Sequence, residues 1–71
     1  MDPYEAMANA IVLEAVKDYR EALKQLKRNR RYRDAIIMKE ECETFFQSEW
    51  FQVLTKIDGA ALMLQLQKEA A

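Results

Sequence analysis

The chain has 71 residues with 11 Lys and Arg, 12 Asp and Glu and no histidine, a formal charge of −1; this fits one small domain over residues 1-71 and excludes two separate cores. Apolar types make up 51% and charged types 32%, too hydrophobic for a disordered tail and too charged for a membrane protein. One glycine and one proline leave almost nothing for the tight turns of a β or α/β domain, so an all-α fold is expected.

Asp2-Pro3-Tyr4-Glu5 reads as a helix start. Asp2 can accept from free first-turn amides, Pro3 fits the first helical position, and Glu5 can reach back to close a capping box. Val12, Val16, Tyr19, Leu23 and Leu26 then recur at spacings of 4, 3, 4 and 3, with Met7, Ile11, Ala15 and Ala22 extending and widening the stripe. This predicts an amphipathic helix of about seven turns. Asn29, tolerant of the left-handed conformation, is the expected stop, with Lys27 and Arg28 near the negative end of the helix dipole.

Ala35, Met38, Cys42 and Phe45 recur at 3, 4 and 3, which places a second helix up to about Gln47. The short connection from Asn29 to Tyr32 folds the two into an antiparallel hairpin. Ser48 is the expected cap of a short third helix carrying Trp50, Phe51 and Leu54. Asp58-Gly59 supplies a second cap and a flexible corner before a fourth helix from about Ala60 to Glu69. The expected architecture is a long antiparallel helical hairpin followed by two short helices.

A core this small supplies roughly 3–5 kcal/mol, and Cys42, the single cysteine, can form no intramolecular disulfide. Association is the remaining source of stability, and a homodimer is expected. Cys42 itself reads as a small reduced core residue of a cytoplasmic protein. The N-terminus carries acid where a signal peptide carries Lys or Arg, and the longest apolar runs, Ala35 to Met38 and Ala60 to Leu64, fall far short of the ~20 residues that span a bilayer. Neither export nor a membrane location is expected.

Phe45-Phe46-Gln47-Ser48-Glu49-Trp50-Phe51, then Leu54-Thr55 and Ile57-Asp58-Gly59 before a Leu-rich last helix, resembles a pattern in small helical proteins encoded by prophages and integrative elements of Gram-positive bacteria. The upstream hairpin with a basic turn is similar too. The chain departs from the pattern at Ala60 and Ala61, which stand where an acidic and then an aromatic residue are expected. The resemblance implies a mobile-element origin and an all-helical fold, and no reaction. Short phage proteins without enzymatic motifs often act by binding, for example by blocking a host defence protein such as an RNA-guided nuclease (the anti-CRISPR type).

Three surface features compete for a functional role. Lys24 to Arg33 holds six of the eleven basic residues, and Lys17, Arg20, Lys24, Lys27 and Arg31 recur at 3, 4, 3 and 4, the first four each one residue after an apolar position. With Arg28, Arg30 and Arg33 they form a basic edge able to follow a nucleic-acid backbone, to meet an acidic protein, or to remain a solvated face paired with Glu14, Asp18 and Glu21. Glu40, Glu41, Glu43 and Glu49, with Asp34, make the second helix acidic; they either mimic phosphates or only solvate a helix, and they lack the histidine of carboxylate di-metal bundles. Aromatic residues crowd the turn between helices 2 and 3, where they read first as a core corner, but they cannot all point inward, and at least one of Phe46, Trp50 and Phe51 is expected to be partly exposed. Phe46, Trp50 and Phe51 beside Leu62, Met63 and Leu66 are therefore the expected protein-contact surface.

No catalytic, metal or cofactor site is expected. Ser48 and Cys42 have no histidine base, and a single glycine excludes a phosphate-cradling loop. The leading expectation is a non-catalytic protein-binding module that inhibits or modulates a host protein. The alternatives are a small nucleic-acid-binding regulator using the Lys17 to Arg33 edge, and an oligomeric assembly accessory.

Overall fold

A computed structural model describes residues 2–71, and these form four helices and no strand: α1 (Pro3–Arg28), α2 (Arg33–Phe46), α3 (Glu49–Leu54) and α4 (Gly59–Ala70). At 1.5 Å per residue the 26 residues of α1 span about 39 Å. That matches the 40 Å long axis of the molecule, so α1 is the spine against which α2, α3 and α4 pack.

Local chemistry sets the helix ends. Asp2 accepts from the Tyr4 amide at 3.0 Å, and Pro3 occupies the first turn, where no amide partner is needed. Glu5 forms no bond closing a capping box among the described residues. Asn29 ends α1 at φ −145°, in extended rather than left-handed backbone. Its Oδ1 accepts from the Arg31 amide at 3.1 Å and its carbonyl from the Tyr32 amide at 3.2 Å, so a side-chain-supported turn reverses the chain without a positive φ. The Ser48 hydroxyl donates to the Phe45 carbonyl at 2.6 Å and accepts from the Phe51 amide at 3.1 Å, clipping the end of α2 to the start of α3.

Asp58 caps α4 by accepting from the amides of Ala60 and Ala61. Gly59 is not the flexible corner expected of it. No described residue has a positive φ, and a Cβ at Gly59 would overlap the Phe46 carbonyl oxygen and lie 2.9 Å from its carbon. Glycine is required here because the start of α4 presses directly on the backbone at the end of α2.

The core joins Val12 and Tyr19 of α1, Cys42 and Phe46 of α2, Phe51 of α3 and Leu66 of α4. Its centre is a set of edge-to-face rings, with Tyr19–Phe46 at 5.5 Å, Phe46–Phe51 at 5.6 Å and Phe45–Phe51 at 5.5 Å between centroids. Each such pair adds roughly 0.5–1.5 kcal/mol beyond the area it buries. A six-residue α3 is too short to be stable alone and is held by the fully buried Phe51. On α4, Leu66 is buried and Leu62 and Met63 pack against the core, leaving Leu64 as its one exposed large apolar side chain. Most of the exposed large apolar side chains lie elsewhere, among them Met7 and Leu13 on α1, Ile36, Ile37 and Met38 on α2 and Trp50 and Val53 on α3.

Candidate functional site

Three parallel stripes run along α1. The core stripe is Ala8, Val12, Ala15 and Tyr19. The residues one position earlier, Met7, Ile11, Glu14 and Asp18, recur at 4, 3 and 4 and form a flank about 100° round the helix, while the basic Lys17, Arg20, Lys24 and Lys27 follow Val16, Tyr19, Leu23 and Leu26 by one position on the other side. The earlier flank faces the end of α2 and the start of α3 across an open groove, lined from the far side by Glu41, Cys42, Phe45 and Trp50.

Ala10, Ile11, Ala15, Cys42 and Phe45 make the apolar lining, and Met7 and Trp50 stand at the open end with 63% and 57% of their surfaces exposed. Trp50 is fixed in direction by an edge-to-face contact with Phe45, centroids 5.6 Å apart, so its other side is presented to solvent. Three carboxylates, Glu14, Asp18 and Glu41, belong to the lining, and no Lys or Arg does. None of the three forms an ion pair with a described residue; the ion pairs present are Arg20–Glu69 and Lys39–Glu43.

The expected contact surface is thereby corrected. Phe46, Phe51 and Leu66 are buried to 2% exposure or less and hold the core together, so they are not surface anchors in this chain. Leu62 and Met63 are half-buried supports of that core. Trp50 alone of the six is prominently exposed. The reason is angular: Phe46 and Phe51 point inward from consecutive helices, and Phe45 fills the remaining space between Trp50 and the core. By apolar spacing alone Met7 and Ile11 belong with the core stripe, yet here they line the groove. The signal that separates them is their register, one residue ahead of Ala8 and Val12 and in phase with Glu14 and Asp18.

The basic edge is exposed throughout but is not one straight line. Lys17, Arg20, Lys24 and Lys27 share a face of α1; Arg28 closes the helix, Arg30 and Arg31 lie in the turn, and Arg33 opens α2. Arg31 leaves the stripe because the helix stops before it. Arg20 is spent on Glu69, which it meets at 3.0 and 3.4 Å.

The remaining titratable groups in the interior are structural. The Tyr19 hydroxyl donates to Glu43 at 2.7 Å and accepts from Gln67 at 2.9 Å. Burial, helped by Glu43, pushes its pKa up to about 12 despite the opposing Gln67 bond. Burial also tends to raise the Glu43 carboxyl, but the bonds from Tyr19 and Lys39 outweigh it and hold that group below its ordinary range. Cys42 is pushed up to about 11, first by burial and then by Asp18, Glu41 and Glu43, so its thiol is protonated near neutrality and a poor nucleophile. Among the described residues no three Cys, Asp or Glu side chains gather as metal ligands, and no helix is long and apolar enough to cross a membrane. Comparison with protein-family models, with curated proteins and with solved structures finds no match.

Proposed function

We propose that the chain is a non-catalytic protein-binding module that acts by occupying a surface of another protein, with the groove around Trp50 as its contact site. The observation that carries this reading is the exposed Trp50 and Met7 at the mouth of an apolar groove, beside a core that takes in Tyr19 and all three phenylalanines wholly or in part. Aromatic side chains half free of the core are the residue type that dominates interfaces, and leaving them in water has a cost that a partner removes. A host protein as target, an RNA-guided defence nuclease among the candidates, is the narrower form of the proposal, and it rests on the likeness to prophage proteins.

The experiment is affinity capture from host lysate with the native chain, with a Met7→Ala/Trp50→Ala variant and with a Lys17→Gln/Lys24→Gln/Lys27→Gln variant. The reading expects a partner retained by the native chain and the charge variant and lost by the groove variant. The rival nucleic-acid reading is favoured by the exposed Lys17, Lys24 and Lys27, which share one face and form no ion pair with a described residue. It expects the opposite pattern, together with duplex or RNA affinity that falls steeply with salt.

A further inference from the structure

We infer that the groove between α1 and the α2–α3 corner takes a basic amphipathic helix of a partner protein, an inference that rests on the protein-binding reading above and specifies its occupant. The dimensions set the occupant's form. From Met7 to Asp18 the α1 wall runs about 16 Å, three turns of helix. Ala10 and Ala15 add little bulk to the lining, so Met7, Ile11, Phe45 and Trp50 supply its large apolar contacts for a partner's side chains. A helix meeting such a wall places anchors at i, i+3 or i+4, and i+7.

Charge sets the occupant's sign. Glu14, Asp18 and Glu41 belong to the same groove, with no basic lining residue and no ion-pair partner among the described residues. A partner carrying Lys or Arg beside its apolar stripe gains three charge contacts there. A nucleic acid or an anionic lipid surface meets three like charges instead, a juxtaposition that interfaces use to reject wrong partners. A second copy fits less well: the basic stripe of α1 offers Leu13 as its one exposed large apolar side chain, and the exposed Ile36, Ile37 and Met38 of α2 stand beside Asp34, Glu40 and Glu41, which are like in charge to the groove.

Trp50 is the chain's single tryptophan, so its emission reports occupancy of this groove directly. The test titrates the full chain with three synthetic helical peptides of about 14 residues, each with the same leucine stripe and with Lys, Gln or Glu elsewhere. The expected result is a saturable blue shift with the Leu/Lys peptide, at least tenfold weaker with Leu/Gln and absent with Leu/Glu. A Glu14→Gln/Asp18→Asn/Glu41→Gln variant, with helicity checked by circular dichroism, is expected to bind the Leu/Lys peptide at least tenfold more weakly. Equal binding of the Lys and Gln peptides, or an unchanged affinity of the triple variant, overturns the inference and leaves the groove as a protein-binding site of another preference. No response to any of the peptides overturns the groove reading as well. A blue shift that grows with protein concentration alone, matched by dimers in sedimentation, assigns the groove to a second copy and also overturns the inference.

Discussion

The Tyr19 hydroxyl on the spine helix meets Glu43 Oε2 at 2.7 Å, and this bond orients the last two turns of α2 against α1 while Lys39 neutralises the same carboxylate from 2.9 Å. Gln67 brings α4 to the other side of the hydroxyl. One phenol thus ties three helices together at the centre of the aromatic core. Tyr19→Phe keeps the ring packing and removes the bond, leaving Glu43 with Lys39 as its one remaining partner. A loss of about 1.5–3 kcal/mol is expected for a hydrogen bond to a charged group, read as a lower urea midpoint with unchanged m-value.

The same groups set the pH limits of the fold. Tyr19 and Cys42 have folded pKa values raised to about 12 and about 11 from ordinary values of 10.0 and 9.0. Their contribution is fully present below about pH 9 and is lost as pH rises through the folded values, when the charged forms must be buried. Glu43 is shifted the other way, so its contribution is present above the ordinary 4.5 and is lost as pH falls through its lowered folded value. Stability measured by urea titration should form a plateau from about pH 5 to 9. The alkaline decline should be shallower in Tyr19→Phe. Absence of any decline by pH 11 contradicts this assignment.

Gly59→Ala should destabilise, against the usual gain of up to about 1 kcal/mol for this change inside a helix. The new methyl has to displace the Phe46 carbonyl at the end of α2, where backbone rather than a pliable side chain is in the way. The expected outcome is a loss of about 2 kcal/mol or more and partial detachment of α4, seen as faster amide exchange around Leu66.

Trp50 and Phe51, neighbours in sequence, should respond in opposite ways. Trp50→Ala alters a mostly exposed side chain and is expected to shift stability by less than about 1 kcal/mol while abolishing partner capture. Phe51→Ala empties the centre of the core and costs about 3–5 kcal/mol, enough to unfold a domain of this size. Thermal denaturation of both variants distinguishes them.

Cys42 should react slowly. Its thiol is buried and protonated near neutrality, so labelling by a disulfide reagent at pH 7.5 is expected to be at least tenfold slower in the native chain than in denaturant. Rapid native labelling would show that the groove floor opens.

Helix order and most helix ends were legible in the sequence because they follow from local chemistry. A 3–4 spacing of apolar residues, Asp2, Ser48 and Asp58 at caps, and the short turn after Arg28 act within a few residues of themselves. The membership of the core was only partly legible. Val12, Tyr19 and Cys42 lie on their stripes, but the assignment of Phe46, Phe51 and Leu66 to the surface failed because the angle at which α3 and α4 leave the hairpin decides which rings turn inward. Likewise, Met7 and Ile11 differ from core residues only by a rotation of one position along α1, and that rotation has meaning only once α2 and Trp50 lie beside it. The amino-acid order by itself determined that the chain is helical, capped where it is, and charged with opposite signs on different faces, since each of these depends on neighbours three or four residues away. Which apolar side chains are hidden, why position 59 must be glycine, and where a groove remains open were decided by the tertiary structure, because they depend on the distance between residues far apart in the chain.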